Sequence, residues 1–191
     1  MSALAASRDR SQFGFRSFAR SSSFVILTCL ALVVSSGCGA KKPTPTERST
    51  AARALYEQTT KEFHNPSAEA NGPEKARLLT EAAKRYEQLL QEYPEEQNLG
   101  AQALRGLGHV RLAQGHTNEA VKLYAAVVEN YPAQDWEVLQ AWKAAGDVLW
   151  DAGRRGEAKK HYAQIIARFG KNDGPQIFQT VVRGSKLRLA E

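Results

Sequence analysis

The residues of this chain best suited to chemistry are few and widely separated. Asp147 and Asp151 stand four apart, with Lys143 four before them, so on a helix all three share one face. Two carboxylates beside an amine could serve general acid–base work. The same spacing also makes an ordinary Lys–Asp pair on a helix surface, worth a few tenths of a kcal/mol, and that reading is preferred. His64, His109, His116 and His161 are spread along the chain. His109 could face a groove, whereas His116 and His161 read as turn and helix-surface residues. Neither zinc-ligand spacing, a glycine-rich phosphate loop nor a nucleophile elbow occurs. The residues therefore predict no catalytic group, no metal and no cofactor.

Cys29 and Cys38 complete the reactive set. Arg8, Arg10, Arg16 and Arg20 precede the apolar run Phe24–Val34, which ends in Ser35-Ser36-Gly37-Cys38. Basic, then apolar, then small residues is the order of a secretory signal. Eleven apolar residues are too few for a membrane-spanning helix, which needs about 18 or more. Ser36-Gly37-Cys38 resembles the lipobox of bacterial lipoproteins, in which the cysteine is acylated and becomes the first mature residue. Ser35 stands where that motif usually has an aliphatic residue. Ser35 and Gly37 also suit ordinary signal peptidase, so an unmodified Cys38 stays open. The resemblance implies residues 1–37 as a cleaved signal and Cys38 as the lipidation site. Gly39, in place of a retaining aspartate, favours the outer membrane, with the protein facing the periplasm.

Cleavage before Cys38 leaves a single cysteine, so a disulfide framework is excluded. The signal carries four arginines and one aspartate, and without it the net charge falls from +6 to +3. With no clustered basic stripe left, nucleic acid is not an expected partner. Residues 38–50 are rich in Pro, Thr and charge and read as a tether.

The remainder is organised by a block that recurs every 38 residues: EAAKRYEQLLQEYP from Glu81, EAVKLYAAVVENYP from Glu119 and EAKKHYAQIIARFG from Glu157. Recurrence at this period signals stacked helical units. The helices read as Thr50–His64, about Glu74–Tyr93, Gln97–Gln114, Thr117–Tyr131, Trp136–Ala152, Arg155–Phe169 and Pro175–Ala190. Gly115 and Gly153 are read as left-handed caps. Gly108, Gly146 and Gly184 align the leading helices.

Leu104, Leu107-Gly108, Gly115, Ala120, Tyr124, Val127 and Pro132 resemble the tetratricopeptide repeat (TPR) family. So do Trp142, Gly146, Leu149, Gly153, Ala158, Tyr162 and Ile165, while the first unit matches only at Ala82, Tyr86, Leu89 and Pro94. The resemblance implies an all-α, right-handed superhelix of antiparallel helix pairs over residues 51–191. Its units would be about 51–94, 97–132 and 135–170, with a cap helix over 175–190. On a lipid-anchored chain it is similar in architecture to the TPR lipoproteins of outer-membrane assembly and of division complexes.

The family plan also implies a binding groove on the leading helices, facing Gln102, Arg105, His109, Leu112, Gln140, Lys143, Asp147, Trp150, Phe178, Val181 and Arg188. Arg105-His109 and Lys143-Asp147 stand where some members hold a peptide carboxylate, and Asp147 would repel one. The expected function is a non-catalytic scaffold binding a protein or peptide in the cell envelope, with the membrane reached through the N-terminal lipid. Two alternatives stay open: an accessory subunit of an envelope enzyme complex, and a homo-oligomer joined through Phe178 and Val181 on the cap helix. Trp142 is read as core and Trp136 as an exposed turn residue.

Overall fold

The computed structural model describes residues 42–171 and 174–191. The signal segment 1–37, Cys38 and the tether as far as Lys41 lie outside the described residues.

Helix α1, Pro45–Thr59, begins inside the stretch read as a tether, and the reason is local. The Thr44 hydroxyl accepts from the Glu47 amide (3.3 Å), and the Glu47 carboxylate accepts from the Thr44 amide (2.7 Å). This capping box, with Pro45 in the first turn, starts a helix the composition had hidden. The chain then winds as a π-helix over Thr60–His64 instead of continuing as α-helix. The hydroxyls of Thr59 and Thr60 donate back to the carbonyls of Leu55 (2.6 Å) and Tyr56 (3.0 Å) at this point, a pattern that bends helices. A short helix α2, Pro66–Glu69, leads into α3, Gly72–Glu92.

From there the plan is regular: α4 (Gln97–Ala113), α5 (Thr117–Asn130), α6 (Asp135–Asp151), α7 (Arg155–Phe169) and α8 (Gln176–Ala190). The described residues form an all-α array of helix pairs stacked as a TPR-like solenoid. Gly115 (φ 85°) and Gly153 (φ 77°) close α4 and α6 in the left-handed conformation. The next amides, of His116 and Arg154, return to the carbonyls of Arg111 (2.9 Å) and Leu149 (2.8 Å). That bond satisfies a terminal carbonyl and turns the chain back on itself within three residues.

Three core clusters follow the repeat. Each trailing helix contributes Ala-x3-Tyr-x2-aliphatic: Ala82, Tyr86 and Leu89 on α3; Ala120, Tyr124 and Val127 on α5; Ala158, Tyr162 and Ile165 on α7. All nine are buried. Burying a large apolar side chain contributes about 1.5–3 kcal/mol, so this face of the trailing helices accounts for much of the array's stability. The leading helices α4, α6 and α8 touch one another in turn and form one layer, with α1 against α4. Among the described residues no helix is long and apolar enough to cross a membrane.

Candidate partner-binding face

The inner layer is shaped by what the buried tyrosines need. Tyr124 lies over Gly108 of α4 so closely that a Cβ there would stand 2.5 Å from the ring. Tyr162 covers Gly146 of α6 in the same way, at 2.7 Å. A buried phenol still needs a hydrogen-bond partner. In both units the residue just after the glycine supplies it: His109 Nδ1 lies 2.9 Å from the Tyr124 hydroxyl, and Asp147 Oδ1 accepts from the Tyr162 hydroxyl at 2.9 Å. His109 and Asp147 thus reach the inner face already engaged from below.

Their neighbours are engaged as well. Arg105 donates through Nε to Glu137 Oε2 at 2.6 Å, and Glu137 is only 4% exposed. This pair ties α4 to α6. Arg105 Nη1 also lies 3.3 Å from His109 Nε2. A guanidinium can only donate, so Nε2 accepts and the neutral ring carries its proton on Nδ1, towards Tyr124. Burial first, then the charges of Arg105 and His64, lowers the His109 pKa to about 4. His64 also titrates below its ordinary range, by burial and then Arg105. It is delivered by the π-helix to the Tyr86 hydroxyl, 2.8 Å away, and its ring lies 6.5 Å from that of His109. Burial raises the Tyr86 phenol to about 12. Burial also raises Tyr124, and burial together with donation to Asp147 raises Tyr162.

Two open cavities lie above these tyrosines. One, of about 280 Å³, is bounded by His109, Leu112, Tyr124 and Gln140. The other, of about 430 Å³, is bounded by Tyr162, Val181, Gly184, Ser185 and Arg188. Lys143, Asp147 and Asp151 line both and form their common wall. Tyr124 and Tyr162 are one 38-residue repeat apart, so the two cavities are repeats of one design.

Lys143 Nζ bonds Asp147 Oδ2 at 2.5 Å, the helix-surface pair the spacing suggests. Asp151 is exposed and makes no ion pair among the described residues. The shared wall therefore offers one uncompensated carboxylate. Both nitrogens of His109 are occupied, which leaves it no lone pair for proton abstraction. Among the described residues, no group of His, Cys, Asp and Glu converges as a metal site would require.

Several expected positions lie elsewhere. Trp150 is buried at 8% exposure, with the guanidinium groups of Arg155 (5.0 Å) and Arg188 (4.8 Å) over its ring. It is packing and not a groove anchor. Phe178 packs on Phe169 and Trp136 at centroid distances of 5.3 and 5.5 Å, away from both cavities. Gln102 lines neither cavity and donates to Asn98 (2.5 Å). Arg105 is held by Glu137. Trp142 is partly buried against the α6–α7 cluster, and Trp136 is exposed. Glu137, Thr180 and Ser185 went unread in the sequence, although Ser185 follows Gly184 as His109 follows Gly108.

Residues 74–135 match the tetratricopeptide repeat family model. This part of the chain resembles tetratricopeptide repeats. The match spans α3, α4, α5 and the start of α6, about a third of the chain, and α6 to α8 continue the same 38-residue plan. No curated protein matches the chain. Tetratricopeptide repeats generally mediate the binding of protein partners. The two cavities stand on the layer of leading helices that such repeats present.

Proposed function

We propose that the chain is a non-catalytic scaffold that holds a segment of another polypeptide along the inner face of its tetratricopeptide repeats. One observation carries this reading: two cavities of the same design sit side by side and share the Lys143–Asp147–Asp151 wall. A segment lying across both would place side chains over Tyr124 and over Tyr162. Asp151, unpaired, favours a lysine or arginine between them. Arg105 and Lys143, both matched by carboxylates of the chain, are poor receptors for a terminal carboxylate.

The scaffold works in the bacterial cell envelope, exported and held by lipid on Cys38. The support is the order of Arg8–Arg20, the apolar run Phe24–Val34 and Ser36-Gly37-Cys38. Intact-mass measurement on protein from the membrane fraction tests the anchor. The expected mass is that of residues 38–191 plus an acylated cysteine; a mass with residues 1–37 retained, or with a bare Cys38, contradicts it. Co-purification tests the groove. A defined polypeptide is expected with the native chain and not with Asp151→Lys, whose melting temperature stays within about 2 °C because the site is exposed. Unchanged recovery with that variant contradicts the reading.

A further inference from the structure

Helix α8 is built as a leading helix but has no trailing helix over it among the described residues. A shift of 38 residues takes Leu139 to Ile177, Gly146 to Gly184 and Leu149 to Leu187. On α6 the two leucines are 0% and 1% exposed in the cluster formed with α7, and Tyr162 fills the space over Gly146. On α8 the same positions are bare: Ile177 is 54% exposed, Leu187 65%, and a Cβ at Gly184 would meet nothing within 4 Å. Ile177, Gly184 and Leu187 fall at i, i+7 and i+10, one stripe of the helix.

We propose that this stripe docks an amphipathic helix of a partner protein, one that presents Ala-x3-Tyr-x2-aliphatic with acidic flanks and seats its tyrosine on Gly184. The repeat itself defines that apolar pattern, because Ala82-Tyr86-Leu89, Ala120-Tyr124-Val127 and Ala158-Tyr162-Ile165 all use it on their own leading layer. Charge defines the flanks. Arg183 and Lys186 are exposed on either side of Gly184, and α8 contains no acidic residue between Gln176 and Ala190.

The same facts turn away two other occupants. A second copy would bring either a like-charged α8 or a trailing helix whose tyrosine is already at most 2% exposed. Residues 10–41 of the chain contain neither a tyrosine nor an acid. Gly184 also bounds the larger cavity, but Ile177 and Leu187 line neither cavity and Asp151 lies off the stripe, so substitutions at Leu187 and at Asp151 tell the two sites apart.

The test titrates the intact chain with a fluorescent, end-capped peptide of its own residues 117–130, TNEAVKLYAAVVEN, which carries the pattern with two acids and one lysine. Saturable binding is expected. It weakens at least tenfold with Gly184→Ala or Leu187→Glu in the protein, and with Tyr124→Ala in the peptide. Gly184→Ala leaves the protein folded with an unchanged or raised melting point, since alanine is the better helix former. Asp151→Lys leaves binding within twofold. The basic peptide 155–169, RGEAKKHYAQIIARF, binds more weakly, and the gap narrows in high salt. Three results overturn the proposal: no saturable binding, binding indifferent to Gly184→Ala, or binding lost with Asp151→Lys. A dimer of the chain dispersed by Leu187→Glu would assign the face to a second copy and overturn it equally.

Discussion

The Tyr162 hydroxyl donates to Asp147 Oδ1 at 2.9 Å, one residue beyond the glycine that the Tyr162 ring covers. In the unit 38 residues earlier Tyr124 covers Gly108 in the same way, with the donor reversed: its hydroxyl accepts from His109 Nδ1 at 2.9 Å. The glycine lets two helices approach, the tyrosine fills the seam, and its hydroxyl fixes a polar side chain on the layer of leading helices. Packing and site are therefore one device. A groove residue here is oriented by the core beneath it.

Filling the glycine breaks that device. Gly146→Ala gains up to about 1 kcal/mol in helix propensity, but its Cβ would sit 2.7 Å from a ring that is buried and tethered by its hydroxyl. Overpacking of this kind costs about 1–3 kcal/mol, so the clash wins. Urea unfolding is expected to show a net loss of about 1–2 kcal/mol for Gly146→Ala and for Gly108→Ala.

Acid weakens the first seam through its histidines. The folded-state pKa of His109 is about 4, below the 6.5 of an unconstrained imidazole, and His64 shifts in the same direction. Between those values the unfolded chain binds protons that the folded chain does not. This contribution to stability is complete above about pH 6.5 and is lost as pH falls towards 4. Urea midpoints measured from pH 7.5 to 4.5 should fall more steeply in the native chain than in His109→Gln. Parallel curves would remove His109 from the account.

Arg105 and Glu137 form a buried inter-repeat pair whose members are unequal. Glu137 is nearly enclosed, whereas the Arg105 side chain keeps 22% exposure. Arg105→Met strands a carboxylate in the core, and a loss of about 3 kcal/mol is expected. Adding Glu137→Leu should recover part of that loss, because an apolar pair needs no compensation there. A double-mutant cycle by chemical unfolding measures the coupling.

The array was legible because its signals are local and repeated. The 38-residue spacing places α4 to α8 within two residues of their bounds, and Gly115 and Gly153 announce the turns. The first unit was harder. Thr44 and Glu47 form a capping box within a Pro- and Thr-rich stretch, so α1 starts earlier than composition suggests. The π-turn over Thr60–His64 leaves no period to read.

The lining of the cavities was legible in position more than in role. His109, Gln140, Lys143, Asp147 and Arg188 do line the cavities. Which of their charges are already matched depends on contacts between helices, such as Arg105 with Glu137 across 32 residues. Trp150 stands at a groove-facing position of the family plan, yet two arginines and Tyr162 enclose it. Burial of a tryptophan on a two-sided helix is a property of its neighbours.

The groove proposed for a partner lies on the inner layer, above Tyr124 and Tyr162. Site-specific photocrosslinking in living cells tests it most directly, with the reactive side chain placed in turn at Gln140, at Asp151 and at Lys160 on the exposed side of α7. A discrete adduct of one polypeptide is expected from positions 140 and 151 and none from 160. Adducts from 160 alone, or the same adduct from all three positions, would contradict it.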